Sequence, residues 1–272
     1  MAVIALSPWD LAIAASLVLL LALTSLRLQL GITKSLIISA TRTTVQLLLI
    51  GMVLKILFDS ANLYFIALIA FIMLSVASRE VLARQKRRFT GWWSFGIGSA
   101  SMFISSFSIT LLTLWVIIAS DPWYSPQYAI PLLGMVLGNA MNGVSLSLDR
   151  LTQAAWQQRD IIEQRLMLGL QRHEAFLDIR KESIRAGMIP IINAMTTAGL
   201  VNLPGMMTGQ IIAGSPPVEA VKYQILIMFL IATSTGFGII AAVALASRRL
   251  FDERHRLRLD TLTSKSTSKS KS

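Results

Sequence analysis

The sequence predicts an all-α integral membrane bundle of about seven transmembrane helices. The N-terminus is expected outside, the C-terminus in the cytoplasm, and a long cytoplasmic helical loop between spans five and six. Three observations carry this. Of the 272 residues 54% are hydrophobic and only 14% charged, with a mean hydropathy of +0.63, a composition of the membrane class. Charge-free runs near the ~20 residues that a helix needs to cross a bilayer recur along the chain. Lys and Arg fall on alternate connections between those runs.

Taken in order, the first run is Leu11 to Leu26, short but anchored at the interface by Trp9. It lacks a basic leader and a small-residue cleavage site, so a retained helix is expected rather than a signal peptide. The second, Ser35 to Leu54, is interrupted by Arg42. Ser60 to Ser78, Phe89 to Ser120, Pro122 to Leu148, Ala186 to Val218 and Tyr223 to Ser247 complete the set. Several exceed one crossing and must tilt, extend beyond the membrane or break.

The first connection holds two basic residues (Arg27, Lys34), the third five, the fifth seven and the tail eight, whereas the alternate connections hold only Lys55 and Lys222. This split of 22 against 2 sets the orientation by the positive-inside rule. The net charge of +11 is thereby a topology signal, with anionic headgroups as its neighbours and no nucleic-acid partner expected. Residues 1–260 read as one transmembrane domain. The Ser/Thr/Lys-rich stretch 261–272 buries no apolar area and is expected to be a disordered basic tail.

No cysteine is present, which excludes disulfides, thiolate metal sites and cysteine nucleophiles. The acidic residues are expected at span ends or in connections, and His173 and His255 in the cytoplasm. Proton- or sodium-coupled carriers, intramembrane proteases and metalloenzymes lose weight accordingly, because they place ionisable groups in the membrane. The chain has no G-x-x-x-x-G-K-[ST] loop; its nearest string, Gly31-Ile-Thr-Lys-Ser35, lacks the upstream glycine. No catalysis and no bound cofactor are expected, and energy for uphill movement must come from a partner.

Residues 149–185 form the one large polar connection. Trp156, Ile161, Ile162, Leu166, Phe176, Leu177 and Ile184 recur at helical spacing and Gly169 divides them, which reads as helix, turn, helix. Two readings stand side by side: an amphipathic surface helix continuing span five, or a docking helix whose apolar face enters a groove on a cytoplasmic partner.

Within the spans, Gly134-x3-Gly138 followed by Asn139 and Asn142 suggests close helix packing, or two amides facing a polar pathway. Asn202-Leu-Pro204-Gly205-Met206-Met207-Thr-Gly209 interrupts span six, as a kink or as a broken helix lining a cavity. Pro190 adds a second bend. Arg42 and Gln46 lie one turn apart; Arg42 either snorkels to the cytoplasmic interface, pairs with Asp149, or attracts an anionic solute. Met135, Met141, Met206 and Met207 suit softer ions, while Asp121 and Glu219 at the external mouth suit hard ones; no metal cage is legible.

The spacing Glu163-x5-Gly169 resembles the start of the loop by which ABC-transporter permeases engage their ATPases. Further, LGLQRHEAFLDIRKESIRAGMIP (168–190), GMVLGNAMNGVSL (134–146), TRTTVQLLLIG (41–51) and LVNLPGMMTGQIIAGSPPVEAVKYQI (200–225) resemble the FetB-type family of ABC-transporter permeases over most of residues 35–258. The resemblance implies a permease of the inner (plasma) membrane that acts as a homodimer with a separate ATP-binding subunit, ATP and magnesium residing on that partner. Bacterial members are associated with iron export and metal homeostasis, and plant relatives linked to aluminium tolerance with UDP-glucose. On this reading Glu163, Gly169, His173, Phe176, Arg180 and Arg185 couple to the ATPase. Arg42, Gln46, Asn139, Asn142, Asn202, Pro204, Gly205, Met206, Met207, Gln210 and Glu219 line the substrate pathway. A stand-alone secondary carrier and a membrane scaffold or sensor are the competing classes.

Overall fold

A computed structural model of the chain describes residues 7–60, 62–252, 254 and 256–264. It is an all-α membrane bundle, with a two-stranded β-pairing at one end. Helix α1 (Pro8–Arg27) begins at a capping box, in which Ser7 and Asp10 each satisfy the other's backbone N–H. Then come α2 (Thr33–Ser60) and α3 (Leu63–Arg84). After β1 (Arg87–Phe89), a continuous rod follows: α4 (Trp93–Met102), a π turn (Phe103–Phe107), α5 (Ser108–Leu112) and a second π turn (Thr113–Ile118). Next are α6 (Pro126–Gln157), α7 (Arg159–Met167), α8 (Arg172–Ala175), α9 (Leu177–Thr197), α10 (Gly205–Ile212) and α11 (Pro217–Arg249), closed by β2 (Leu262–Ser264).

Among the described residues, six helices are long and apolar enough to cross a membrane: Pro8–Arg27, Thr33–Lys55, Leu63–Arg84, Trp93–Ile118, Pro126–Gln157 and Pro217–Arg249. The expected sixth run, Ala186 to Val218, is not one helix. Its first part is the apolar half of α9, whose other half carries Asp178, Arg180, Lys181, Glu182 and Arg185. Beyond Thr197 the backbone turns extended at Ala198 and left-handed at Gly199 (φ +82°), and α10 restarts after Pro204. Pro190 lies inside α9, which runs on past it.

Helices α6 and α11 form the axis of the bundle, with α3, α4 and α9 packed round them and the α1–α2 hairpin outermost. One apolar cluster joins Leu148, Leu151, Ala155, Ile162, Phe176, Ala246, Leu250 and Phe251 at the end that carries the arginines, here the basic end. A second joins Ile66, Leu114, Ile130, Val136, Ile191 and Leu230 towards the opposite end.

Close approach is made where side chains are smallest. A Cβ at Gly187 of α9 would lie 2.7 Å from the Gly143 carbonyl oxygen of α6, and one at Gly143 would lie 2.7 Å from Thr235 Cγ2 of α11, so α6 and α9 meet here nearly backbone to backbone with α11 side chains packed onto the crossing. The glycine pair singled out by spacing behaves otherwise: Gly134 faces only the Met73 methyl and Gly138 faces open space. The π turn at Phe103–Phe107 sets Ser105 against Gly238 and Ser106 within 3.3 Å of the Ser234 hydroxyl.

The basic end is laced to α6. The Asp149 carboxylate accepts from the Lys86 backbone N–H (2.8 Å), the Thr152 hydroxyl donates to the Arg87 carbonyl (3.0 Å), and the Arg87 guanidinium stacks 3.9 Å from the Trp156 ring. Residues Leu262–Ser264, expected within a disordered tail, instead pair antiparallel with β1, because Leu262 is apolar and buried beside Phe89. Just before them the Arg258 guanidinium donates to Asp260 and holds that carboxyl below the usual carboxylate range. Residues 265–272 and His255 lie outside the described residues.

Candidate functional site

Helix α6 buries Val136, Leu137, Ala140, Val144, Ser147 and Leu148 and leaves Asn139, Asn142, Leu146 and Arg150 exposed along one stripe at helical spacing. The Asn139 amide donates to the Met135 carbonyl one turn back (2.8 Å). Asn142 accepts from the Arg84 guanidinium of α3 at 2.6 Å. One turn earlier on α3, Glu80 pairs with Arg42 of α2 at 3.8 Å. Gln46 follows Arg42 by one turn and is exposed. Arg42, Glu80, Arg84 and Asn142 thus join three helices.

At 1.5 Å per residue, Asn142 lies about 24 Å along α6 from Pro126, Glu80 about 26 Å along α3 from Leu63, and Arg42 about 14 Å along α2 from Thr33. The cluster therefore sits in the part of the bundle nearer the basic end, within a hydrocarbon thickness of ~30 Å measured from the other end. Charged groups at such depth are costly against lipid and face protein or a water-filled path. The expected pairing of Arg42 with Asp149 is corrected: Asp149 is held by Lys86 and Gln153, and Arg42 pairs with Glu80. Glu80, expected beyond the end of span three, lies inside α3, because that helix continues to Arg84.

Towards the opposite end, a chamber of about 240 Å³ opens between α6, α10, α11 and the second π turn, lined among others by Gln127, Tyr128, Met135, Met206, Gln210 and Tyr223. The Gln210 side-chain oxygen is buried there without a hydrogen-bond partner. Met135 belongs to the same α6 stripe as Asn139 and Asn142, so the stripe leads from this chamber to the Arg84 cluster. Met207 points elsewhere, into an apolar cavity of about 510 Å³ that also holds Pro204, Met195, Gln224 and Met228.

The remaining expected pathway residues are not gathered into the chamber. Asn202 is exposed in the α9–α10 turn, where its carbonyl accepts from Gly199, and Gly205 opens α10 with free space around it. Glu219 is paired with Lys222 at 2.8 Å, one turn along α11. Among the described residues no three His, Cys, Asp or Glu side chains converge as a metal set. The chamber's polar lining is made by Thr113, Gln127, Tyr128, Gln210 and Tyr223, with the sulfurs of Met135 and Met206 beside them.

At the basic end, α6 runs to Gln157, α7 follows, and Gly169 turns the chain at φ +90° into α8 and α9. The apolar face expected to dock a partner is turned inward: Ile162 and Phe176 are each 1% exposed, and the Phe176 ring packs edge-on against Phe251 at 5.5 Å. Phe176 is therefore a packing residue and not a contact for a partner, a correction forced by its burial. Left exposed at the tip are Met167 (79%), Leu168 (80%), Ile161 and Leu170. Arg165 fixes the tip by bonding Asp178 (3.0 Å) and the Ala175 carbonyl (3.3 Å). A cleft of about 670 Å³ beside it is lined by Glu163, Leu166, Met167, Gly169, Leu170, Gln171, Arg254, Arg256 and Leu257. His173 and Arg180 line a separate pocket, and Arg185 is exposed on α9.

Sequence reasoning missed Glu80, Arg84, Tyr128 and Tyr223. A Glu and an Arg four residues apart near a helix end share one face, and that spacing was the available signal for the first two. Nothing in the spacing of the tyrosines marks them.

Comparison with known proteins gives a consistent result. The family described as "Uncharacterised protein family (UPF0014)" matches residues 8–251. The chain is 38% identical to the UPF0014 membrane protein slr1647 of Synechocystis, over 84% of this chain and 87% of that one. It is 35% identical to the probable iron export permease protein FetB of Escherichia coli, over 94% of this chain and 96% of that one. It is 30% identical to the protein ALUMINUM SENSITIVE 3 of Arabidopsis thaliana, over 91% of this chain and 88% of that one. No solved structure matches.

Proposed function

Because the chain belongs to the UPF0014 family of multi-pass membrane proteins, we propose that it is the permease subunit of an ABC transporter. It works as a homodimer with a separate ATP-binding subunit, in the inner (plasma) membrane, with the basic end in the cytoplasm, and exports iron. The chain performs no chemistry of its own; ATP and magnesium are held by the partner subunit. A relative named as a probable iron export permease, matched over nearly its whole length, supports both the transport role and the cargo.

The observation that carries the coupling is the α7–α8 tip. Two large apolar side chains, Met167 and Leu168, stand almost wholly exposed on a turn that Arg165 and the buried Ile162 and Phe176 make rigid. A rigid apolar knuckle beside a cleft is the form of surface that enters a groove on a partner. Closure of the ATP-binding subunits moves the tip, and α9 carries the movement to the Gly187–Gly143 crossing with α6. The bundle then alternates between two packings that open the α6 stripe to opposite sides.

The test is Leu168→Asp in a complex of this chain with its candidate ATPase. The charge at the tip is expected to abolish co-purification while the chain itself elutes and unfolds as the parent does. Undiminished co-purification would remove the tip from the interface.

A second reading of the cargo rests on one observation. The membrane cluster holds two arginines, Arg42 paired with Glu80 and Arg84 bonded to Asn142, against one carboxylate, and this excess positive charge repels a bare cation. It favours an anionic chelate of the metal, or an anionic solute such as a nucleotide sugar. Competition of each with radioactive iron for uptake into inside-out vesicles holding the chain and its candidate ATPase separates the two.

A further inference from the structure

At the basic end, where α11 leaves the membrane-spanning part of the bundle, a pocket of about 190 Å³ lies between α8, the start of α9 and the end of α11. It is lined by Arg172, His173, Phe176, Arg180, Ala244, Ser247, Arg248 and Phe251. Three guanidiniums and an imidazole converge on it, and none of its lining residues is acidic. The carboxylates of the same elements are engaged elsewhere: Asp178 with Arg165, Glu182 with Arg150, Glu174 with the Gln171 backbone N–H, and Asp252 with the Arg256 backbone N–H. The Arg180 Nε is buried and meets no acceptor. A buried donor left unpaired is costly, and three cations sharing one small space repel one another, so the arrangement is stabilised by an anion.

We propose that this pocket binds a phosphate group, supplied by the headgroup of an anionic phospholipid of the adjacent leaflet. Phosphate matches the site by chemistry: guanidiniums bind it bidentately, and Arg180 and Arg248 both line this one small space. The size matches a single small polar group and lies below the volumes typical of drug-sized ligands. The location selects the lipid. Ser247 and Arg248 close the span Pro217–Arg249, so the pocket stands at headgroup level. His173 and Arg180, expected from sequence to couple to an ATPase, serve on this account to hold a lipid that fixes α8 and α9 to the end of α11. The proposal is independent of the transport reading, since its test needs neither cargo nor ATPase.

The experiment is native mass spectrometry of the full chain released from micelles containing phosphatidylglycerol, phosphatidylcholine or inorganic phosphate alone. One phosphatidylglycerol per chain is expected to be retained, with phosphatidylcholine held at least about tenfold more weakly. Arg180→Gln with Arg248→Gln lowers retention about tenfold or more, and Arg180→Lys with Arg248→Lys restores part of it. The control Arg27→Gln with Lys34→Gln removes the same charge at the same end and leaves retention unchanged. Should the first double variant fail to fold, Arg172→Gln at the rim gives a smaller loss in the same direction. Retention of inorganic phosphate with the same arginine dependence would make free phosphate the ligand and overturn the lipid assignment. Binding insensitive to the pocket arginines, equally sensitive to the control, or absent would overturn the site.

Discussion

Replacing Gly187 by Ala tests the crossing on which the bundle is built. The added Cβ lies 2.7 Å from the Gly143 carbonyl oxygen and 2.9 Å from Ser147 Cβ. Carbon–oxygen contacts across packed helices settle near 3.3 Å, so the α6 and α9 backbones must part by about 0.6 Å. Neither obstacle is the tip of a flexible chain; one is backbone and the other a Cβ, so no rotamer change relieves the clash. Overpacking of this kind costs about 1–3 kcal/mol, partly offset by the better helix propensity of Ala, worth about 1 kcal/mol at most. Gly138→Ala is the internal control, since its Cβ meets nothing within 4 Å and only the propensity gain remains. Equilibrium unfolding in mixed micelles, read by tryptophan fluorescence, is expected to show Gly187→Ala destabilised and Gly138→Ala equal to the parent or slightly more stable. The reverse order would refute the crossing and restore Gly134 and Gly138 as the packing seam.

Three further outcomes follow from the site. Glu80→Gln and Arg42→Gln each leave one member of a pair unmatched near the basic end. A double-mutant cycle on transport rate is expected to give a coupling of roughly 0.5–3 kcal/mol, whereas additive losses would show the 3.8 Å pair to be incidental. Phe176→Ala empties a buried edge-on contact with Phe251 and should cost about 3–5 kcal/mol of stability, while Leu168→Ala stays within about 0.5 kcal/mol; thermal unfolding of both variants checks this. Gln210→Leu removes a buried unpaired acceptor and is expected to leave the fold as stable or stabilise it by about 1–3 kcal/mol while lowering transport; a destabilised variant would mean that Gln210 has a structural partner.

Most of the membrane architecture was legible because hydropathy and length act locally: six of the seven expected runs coincide with spanning helices, and α1 and α11 extend theirs by only a few residues. Span six failed for a physical reason. Ala186 to Val218 is free of charge throughout, and hydropathy is blind to the backbone break at Ala198–Pro204, although Gly199 and Pro204 announced it. The amphipathic pattern of 149–185 was read correctly as helical with a turn at Gly169, but periodicity cannot say whether an apolar face meets a partner or the chain's own core. Ile162 and Phe176 turned inward because the chain just beyond α11 brings Phe251 edge-on against Phe176 in the cluster that also holds Ile162. At the site, Asn139, Asn142, Met206 and Gln210 were visible as polar or soft residues in apolar runs. The Glu80–Arg42 and Arg84–Asn142 pairs were not, because each joins helices far apart in sequence and rests on where α3 ends. The Gly143–Gly187 crossing was hidden likewise: motif spacing reports one helix, while close approach is a property of two.

The proposed outward movement of iron at the expense of ATP hydrolysed by a partner is tested most directly by transport into vesicles. Inside-out vesicles containing the chain and its candidate ATPase are supplied with radioactive iron and ATP, against vesicles carrying a catalytically dead ATPase. Accumulation is expected only with the live ATPase; accumulation that survives the dead ATPase would make the chain a carrier or channel acting alone and would overturn the proposal.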